Sequence, residues 1–148
     1  MKVSDALVGV SNIFLDTSPV IYFVEGDPRY LDVVKNIFAH IDSGALMAVT
    51  SPVTLAECMV LPYRTTRTSL QQDFTRQIVS GNNTIFVAID EQVAQRAAER
   101  RVRYNIGLLD ALQLGVALVA DCDVFVTNDA VLKRVTETEI MVMDDLEP

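Results

Sequence analysis

The sequence predicts an α/β protein, a three-layer α/β/α sandwich around a central, mainly parallel sheet of four to five strands. Short apolar segments alternate with helical patterns along the chain, which is typical of βαβ units. The short segments are apolar at consecutive positions, as expected for strands that helices cover on both faces. Right-handed crossovers then place helices on both sides of the sheet.

Five short apolar runs are the expected strands. They are residues 13–15, 46–50, 84–89, 123–127 and 139–144. The helices between them have recognisable ends: Ser18 is expected to cap the first and Asp27 the second, each with proline at the first helical position. Pro62 is expected to stop the third helix. Asp90 and Gly107 are expected to begin the two helices before the fourth strand.

The composition fits one domain with a substantial core. The chain has 148 residues, half of them hydrophobic, with no repeat or linker. We expect a short extension over residues 1–12 and a single domain over 13–148. No apolar run reaches the roughly 18 residues of a membrane span, and the N-terminus lacks the apolar core of a signal peptide. Cys58 and Cys122 lie in apolar surroundings without metal-ligand spacing, so reduced thiols and a cytoplasmic location are expected.

The charge is unevenly distributed. The net charge of −8 argues against a dedicated duplex-binding module. Between Arg64 and Arg103, however, seven arginines stand against four acidic residues, which makes that segment +3. Two amphipathic helices with solvated faces would explain this run. The alternative is a positive wall beside an acidic site, suited to a polyanion.

Four carboxylates lack a compelling local explanation. They are Asp16, Glu57, Asp110 and Asp129. Each has a simple structural alternative. An Asx turn after the first strand would explain Asp16, and the solvated edge of an apolar helix face would explain Glu57. Asp110 would be favoured by the dipole in the first turn of its helix, and Asp129 would cap a short helix.

The predicted topology brings these acids to one edge of the sheet. A helix from Leu108 to Ala120 runs about 20 Å away from that edge, and the strand at 123–127 returns about 16 Å. Asp110 and Asp129 therefore reach the C-terminal edge, where Asp16 ends its strand. Two carboxylates 5 Å apart repel by about 3 kcal/mol at an effective dielectric near 20. An oxygen-only set of this kind selects Mg²⁺ or Mn²⁺, which suits metal-assisted phosphodiester cleavage.

The motifs that carry these acids resemble those of a known family. "FLDTS", "LAE", "LLDALQLGVAL" and "FVTND", in this order and spacing, resemble the PIN domain family, and in particular the small single-domain toxins of VapBC-type toxin–antitoxin pairs. The resemblance covers about residues 13–143. It implies a metal-dependent ribonuclease whose acidic pocket falls on the four carboxylates, with Thr127 as the hydroxyl before the last acid.

The resemblance also implies supporting residues and partners. Many members have asparagine two places after the first aspartate, where this chain has Ser18 as a supporting hydrogen-bond residue. An RNA substrate, an antitoxin and a homodimer are expected partners. The weaker RNA-contact candidates are arginines: Arg64, Arg67, Arg100, Arg101 and Arg103. A PIN-like nuclease outside a toxin–antitoxin pair, and a non-catalytic RNA- or protein-binding module with the same pocket, stay open as alternatives.

Overall fold

A five-stranded parallel sheet forms the centre of the protein, seen here in a computed structural model that describes residues 1–148. The strands are β1 (Asn12–Leu15), β2 (Met47–Thr50), β3 (Thr84–Phe86), β4 (Val124–Thr127) and β5 (Glu139–Val142). Their order is β3-β2-β1-β4-β5, and every neighbouring pair is parallel. Helices cover both faces of the sheet, so the predicted three-layer α/β/α fold is confirmed.

Seven helices surround the sheet. They are α1 (Val3–Ala6), α2 (Thr17–Glu25), α3 (Leu31–Asp42), α4 (Pro52–Arg64), α5 (Thr68–Val79), α6 (Glu91–Tyr104) and α7 (Leu108–Val119). Two short 3-10 segments, Ala130–Arg134 and Met143–Asp145, follow β4 and β5. One core cluster joins the sheet to α1–α5, and a second joins it to α6 and α7.

The alternation of side chains along each strand separates the two cores. Ile13 and Leu15 of β1 face the layer that contains α2 to α5. Phe14, between them, faces α6 and α7 and stacks on Phe125 of β4 at a centroid distance of 4.9 Å. Successive side chains of a strand point to opposite faces of the sheet. The side chain of the residue just after each strand therefore points to the face opposite that of the last strand residue.

The N-terminal segment packs onto the domain. Val3 is fully buried and joins the larger core together with Leu7. The Val3 N–H donates to the Glu147 carbonyl at 2.9 Å, and the Glu147 N–H donates to the Met1 carbonyl at 2.8 Å. The first residues are thus hydrogen-bonded to the last ones.

Three of the predicted helix ends are wrong. Helix α2 begins at Thr17, so Ser18 lies in its first turn and Asp16 occupies the N-cap position without a side-chain capping bond. Asp27 instead stabilises a turn by accepting from the Arg29 N–H at 2.9 Å, and α3 begins four residues later. Helix α4 continues through Pro62 to Arg64, because the Thr65 N–H still closes the last turn on Leu61.

The predicted starts of α6 and α7 are confirmed, whereas strand β5 ends at Val142, two residues before its predicted end. The Asp90 carboxylate caps α6 by accepting from the Val93 N–H at 3.0 Å, and Gly107 directly precedes α7. Strand β3 ends at Phe86, three residues before the predicted end.

Both cysteines are free and buried, as predicted for reduced thiols. Burial raises the pKa of both thiols, that of Cys122 to about 12.

No single helix is long and apolar enough to cross a membrane. Helices α6 and α7 reach that length and hydropathy only when taken together, and they are bent by 120° relative to each other.

Candidate active site

The candidate site lies where the order of strands reverses. Chain order runs outward from β1 through β2 to β3 on one side, and through β4 to β5 on the other. The C-terminal ends of β1 and β4 therefore border the crevice in which open α/β sheets bind ligands. Asp16 directly follows β1, and its N–H donates to the Val126 carbonyl of β4 at 3.0 Å.

Asp16 is the most buried of the four acids, with 6% of its surface exposed. The Thr127 hydroxyl donates to its Oδ2 at 2.7 Å, and the Gln113 amide lies 3.4 Å from its Oδ1. Desolvation raises the pKa of Asp16, and hydrogen bonds from Thr127, the Thr17 backbone and Gln113 oppose that rise. The fold thus places a carboxylate in a low-dielectric position and supplies donors for its charged form.

The strand pattern explains why these groups meet. Asp16 continues the face of Phe14, and Thr127 continues the face of Phe125. Both side chains therefore point toward α7, where Gln113 is fully buried. Sequence reasoning missed Gln113 as a site residue. The available signal was its position one helical turn after Asp110 in an otherwise apolar helix.

Asp110 lies in the first turn of α7 and is half-buried. Its pKa is raised to about 6, first by desolvation and then by the negative charges of Asp16, Asp129 and Glu57. All four predicted acids therefore share one electrostatic environment. No side-chain donor relieves the repulsion at Asp110 as Thr127 does at Asp16.

Asp129 and Glu57 form the solvent-exposed side of the site. One oxygen of Asp129 accepts from the Val131 N–H at 3.0 Å and so caps the 3-10 segment. This is the capping role that the sequence offered as the alternative explanation of Asp129. The Asp129 N–H also donates to the Thr127 hydroxyl at 3.1 Å. Glu57 accepts a hydrogen bond from the Thr17 hydroxyl at 2.7 Å. Thr17, rather than Ser18, is thus the hydroxyl of this segment that contacts an acid of the site.

The donor set fits a hard divalent cation by its chemistry. The four acids offer only oxygen atoms, and neither cysteine nor histidine lies among them, which is the preference of Mg²⁺ and Mn²⁺. The negative charges of three neighbouring acids around Asp110 also favour a cation at this position. No three acidic side chains are yet close enough to ligate one ion. A bound cation would therefore have to draw the exposed acids inward.

The arginines of the basic segment fall into two groups. Arg100 and Arg103 of α6 form ion pairs with Glu137 at 2.6 and 3.2 Å, and Arg101 donates to the Ile106 carbonyl. Arg64 and Arg67 are exposed at the end of α4 and in the turn that follows. Arg64 lies seven residues after Glu57, so it shares that face of α4 about 10 Å along the axis.

Exposed apolar side chains lie on the two helices that carry Glu57 and Asp110, and Val60 and Leu109 line one cavity together with Glu57. Five of the large hydrophobic side chains that remain exposed belong to two helices that carry site residues. They are Val60, Leu61 and Tyr63 of α4, and Leu108 and Leu109 of α7. Exposed apolar patches of this kind are typical of protein–protein contacts.

The fold and the acidic crevice define a class of small α/β/α domains with carboxylates at the sheet's switch point. The sequence profile of the PIN domain matches residues 13–138. The chain therefore belongs to the PIN domain family. No curated protein sequence matches it.

Solved toxin–antitoxin proteins share this fold. VapBC2 from Rickettsia felis, bound to a promoter DNA fragment, matches at TM-score 0.70 and 17% identity over 88% of this chain and 98% of that one. A toxin–antitoxin complex from Klebsiella pneumoniae matches at TM-score 0.65 and 18% identity, over 88% and 97%. VapC20 from Mycobacterium tuberculosis, a sarcin-ricin loop cleaving toxin, matches at TM-score 0.63 and 17% identity, over 76% and 86%.

Proposed function

We propose that this PIN domain is a Mg²⁺- or Mn²⁺-dependent endoribonuclease and the toxin of a VapBC-like toxin–antitoxin pair. The observation that carries the proposal is the acidic crevice, in which desolvation, and then the charges of three other carboxylates, raises the pKa of Asp110. Titratable groups perturbed in this way cluster at functional sites, and a bound cation would offset the repulsion. The family membership and the toxin–antitoxin proteins of the same fold support this assignment.

In this proposal Asp16, Asp110 and Asp129 would hold one or two cations, with Glu57 as a direct or water-mediated ligand. A bound cation would supply charge stabilisation at the phosphate and a water molecule of lowered pKa. Thr127 orients Asp16 through its hydroxyl and holds the backbone of Asp129. Ser18, in the first turn of α2, is a weaker supporting candidate than Thr17, whose hydroxyl contacts Glu57.

The proposed RNA contacts are the arginines whose side chains are exposed and not already paired with an acid. Arg64 and Arg67 have exposed side chains without an ion-pair partner, and Arg64 shares a face of α4 with Glu57, so these two are the better candidates for binding phosphates. Arg100 and Arg103 already form ion pairs with Glu137, so their positive charge is partly neutralised and they should bind a polyanion less strongly. Arg101 stays a weak candidate. The negative net charge makes such local cations necessary.

We assign two protein partners. A second copy of this chain would cover the apolar surface on α4 and α7, and light scattering should give a dimer; a monomer at micromolar concentration would contradict this part.

An antitoxin would lay a segment over the acidic crevice and block cleavage. A small open reading frame next to this one, co-purifying with the protein as an inhibitor, is the expected observation. The proposed location of this RNA-directed activity is the cytoplasm.

The direct test is cleavage of a panel of RNAs by wild type and Asp16→Asn, with Mg²⁺, Mn²⁺ or EDTA. We expect metal-dependent cleavage by wild type and at least a 1000-fold loss in the variant, as is common for essential catalytic groups. Circular dichroism should show that the variant is folded. Undiminished activity of Asp16→Asn would sink the assignment. RNA binding without cleavage by wild type would favour the non-catalytic alternative.

A further inference from the structure

The protein places nearly all of its buried polar side chains in one network. Six polar or charged residues are buried, and five of them are connected through side-chain hydrogen bonds. The five are Asp16, Ser51, Thr54, Gln113 and Thr127. The sixth, Thr50, faces the other side of the sheet and donates to the Ile78 carbonyl at 2.6 Å. Buried polar groups are costly unless they are paired, so a concentration of them around Asp16 calls for an explanation.

Gln113 is the centre of this network. Its Oε1 accepts from the Ser51 hydroxyl, and its Nε2 donates to the Thr54 hydroxyl at 2.8 Å and faces Asp16 Oδ1 at 3.4 Å. One amide therefore links helix α7, the start of α4 and the end of β1. The neighbouring buried positions of α7 are apolar, so packing alone does not require a glutamine here.

The surrounding donors fix the orientation of the Gln113 amide. The Thr54 hydroxyl donates to the Leu15 carbonyl at 3.2 Å, so only its lone pairs are free to face Gln113. The Ser51 oxygen accepts from the Val53 N–H at 3.1 Å, which leaves its proton for the Gln113 Oε1. The amide NH₂ must then point toward Thr54 and Asp16, because a flipped amide would place donors against a donor and an oxygen against the carboxylate.

We propose that Gln113 is a positioning residue that holds the Asp16 carboxylate in the orientation that binds the divalent cation. This inference rests on the proposed function. Gln113 restrains one carboxylate oxygen, and Thr127 restrains the other. The two contacts together restrict the rotation of the carboxylate. Such outer-shell partners commonly change metal affinity 10- to 100-fold.

The test measures Mn²⁺ binding by isothermal titration calorimetry, so it does not depend on any RNA substrate. Gln113→Met keeps the side-chain length and removes both polar ends. We expect its Mn²⁺ dissociation constant to rise about tenfold or more. Thr54→Val removes the anchor of the amide, keeps the side-chain shape, and should raise the constant by a smaller factor. It serves as the second test if Gln113→Met does not fold.

Thr50→Val is the matched control, because it deletes one buried hydroxyl hydrogen bond on the opposite face of the sheet. It should lower the unfolding temperature but leave the Mn²⁺ dissociation constant within twofold of wild type. Wild-type affinity in folded Gln113→Met and Thr54→Val would overturn the role of Gln113 and leave the proposed function intact. Absence of Mn²⁺ binding by wild type itself would overturn both. An equal loss of affinity in Thr50→Val would reduce the effect to general destabilisation and overturn the inference.

Discussion

Asp16 and Asp110 face the same crevice, but the protein holds them in different ways. Asp16 is buried and restrained at both oxygens by Thr127 and Gln113. Asp110 is half-buried, receives no such donors, and has a pKa raised to about 6 by desolvation and its acidic neighbours. One side of the site is thus organised by folding alone. The other side stores electrostatic repulsion, which a cation can relieve.

After the loss expected for Asp16→Asn, the largest expected effect concerns the side of the site where the acids repel one another. Asp110→Asn should reduce metal-dependent cleavage at least 100-fold, because it removes a proposed ligand. In EDTA the same variant should be more stable than wild type at pH 7. The pKa of Asp110 is raised in the folded state, so its ionisation destabilises the fold at neutral pH. We expect a gain of about 1 kcal/mol after allowance for solvent screening.

The stabilisation expected for Asp110→Asn depends on pH. The stability difference between Asp110→Asn and wild type should shrink as pH falls from about 6 through 4, where the wild-type carboxyl becomes neutral in both states. Urea denaturation at several pH values measures it. Glu57→Gln, at an exposed acid, is the control and should change stability by less than about 0.5 kcal/mol. A variant less stable than wild type at pH 7 would mean that Asp110 is not under repulsion.

A smaller effect should separate the two arginine groups. The double variant Arg64→Ala with Arg67→Ala should weaken RNA binding several-fold and reduce the slope of log affinity against log salt by about 2. Arg103→Gln, whose charge is shared with Glu137 and Glu99, should leave that slope unchanged. Fluorescence anisotropy at several salt concentrations distinguishes them. The reverse ranking would move the proposed RNA path from α4 to α6.

The smallest effect belongs to a charge cluster away from the site. Hydrogen bonds from Arg100 lower the pKa of Glu137 to about 2, against the cost of desolvation. Glu137→Gln should cost about 1 kcal/mol at pH 7. A lowered pKa stabilises the fold above pH 4.5, and that contribution is lost as pH falls toward 2. The variant should bind Mn²⁺ like wild type. A changed affinity would show that this cluster and the acidic crevice are coupled.

The sequence predicted the positions of the acids in the fold better than it predicted the local ends of helices. The alternation of strands and helices was enough to bring Asp16, Asp110 and Asp129 to one edge, because topology fixes where parallel strands end. Ser18 and Asp27 looked equally like helix caps, yet both helices begin elsewhere. A serine or aspartate before proline suits a first helical turn or a preceding turn as well as a cap.

Sequence spacing could not show which residues far apart in the chain contact each other in the fold. Glu137 lies 37 residues after Arg100, so nothing in the basic run of α6 indicated that its charge was already paired. Gln113 was hidden for a different reason, since a single polar residue in an apolar helix has no partner until the strands are placed. Strand alternation offered a clue: Asp16, Ser51 and Thr127 each follow a residue that faces away from α7, and so point toward it.

The four carboxylates are proposed to form a cation site in which the fold restrains Asp16 before the ion binds. Calorimetric titration of Mn²⁺ into wild type and Asp16→Asn is the sharpest test of this proposal. We expect saturable binding by wild type and a dissociation constant at least 100-fold higher in the variant, with both proteins folded. Equal binding by the two proteins, or no binding by wild type, would contradict it.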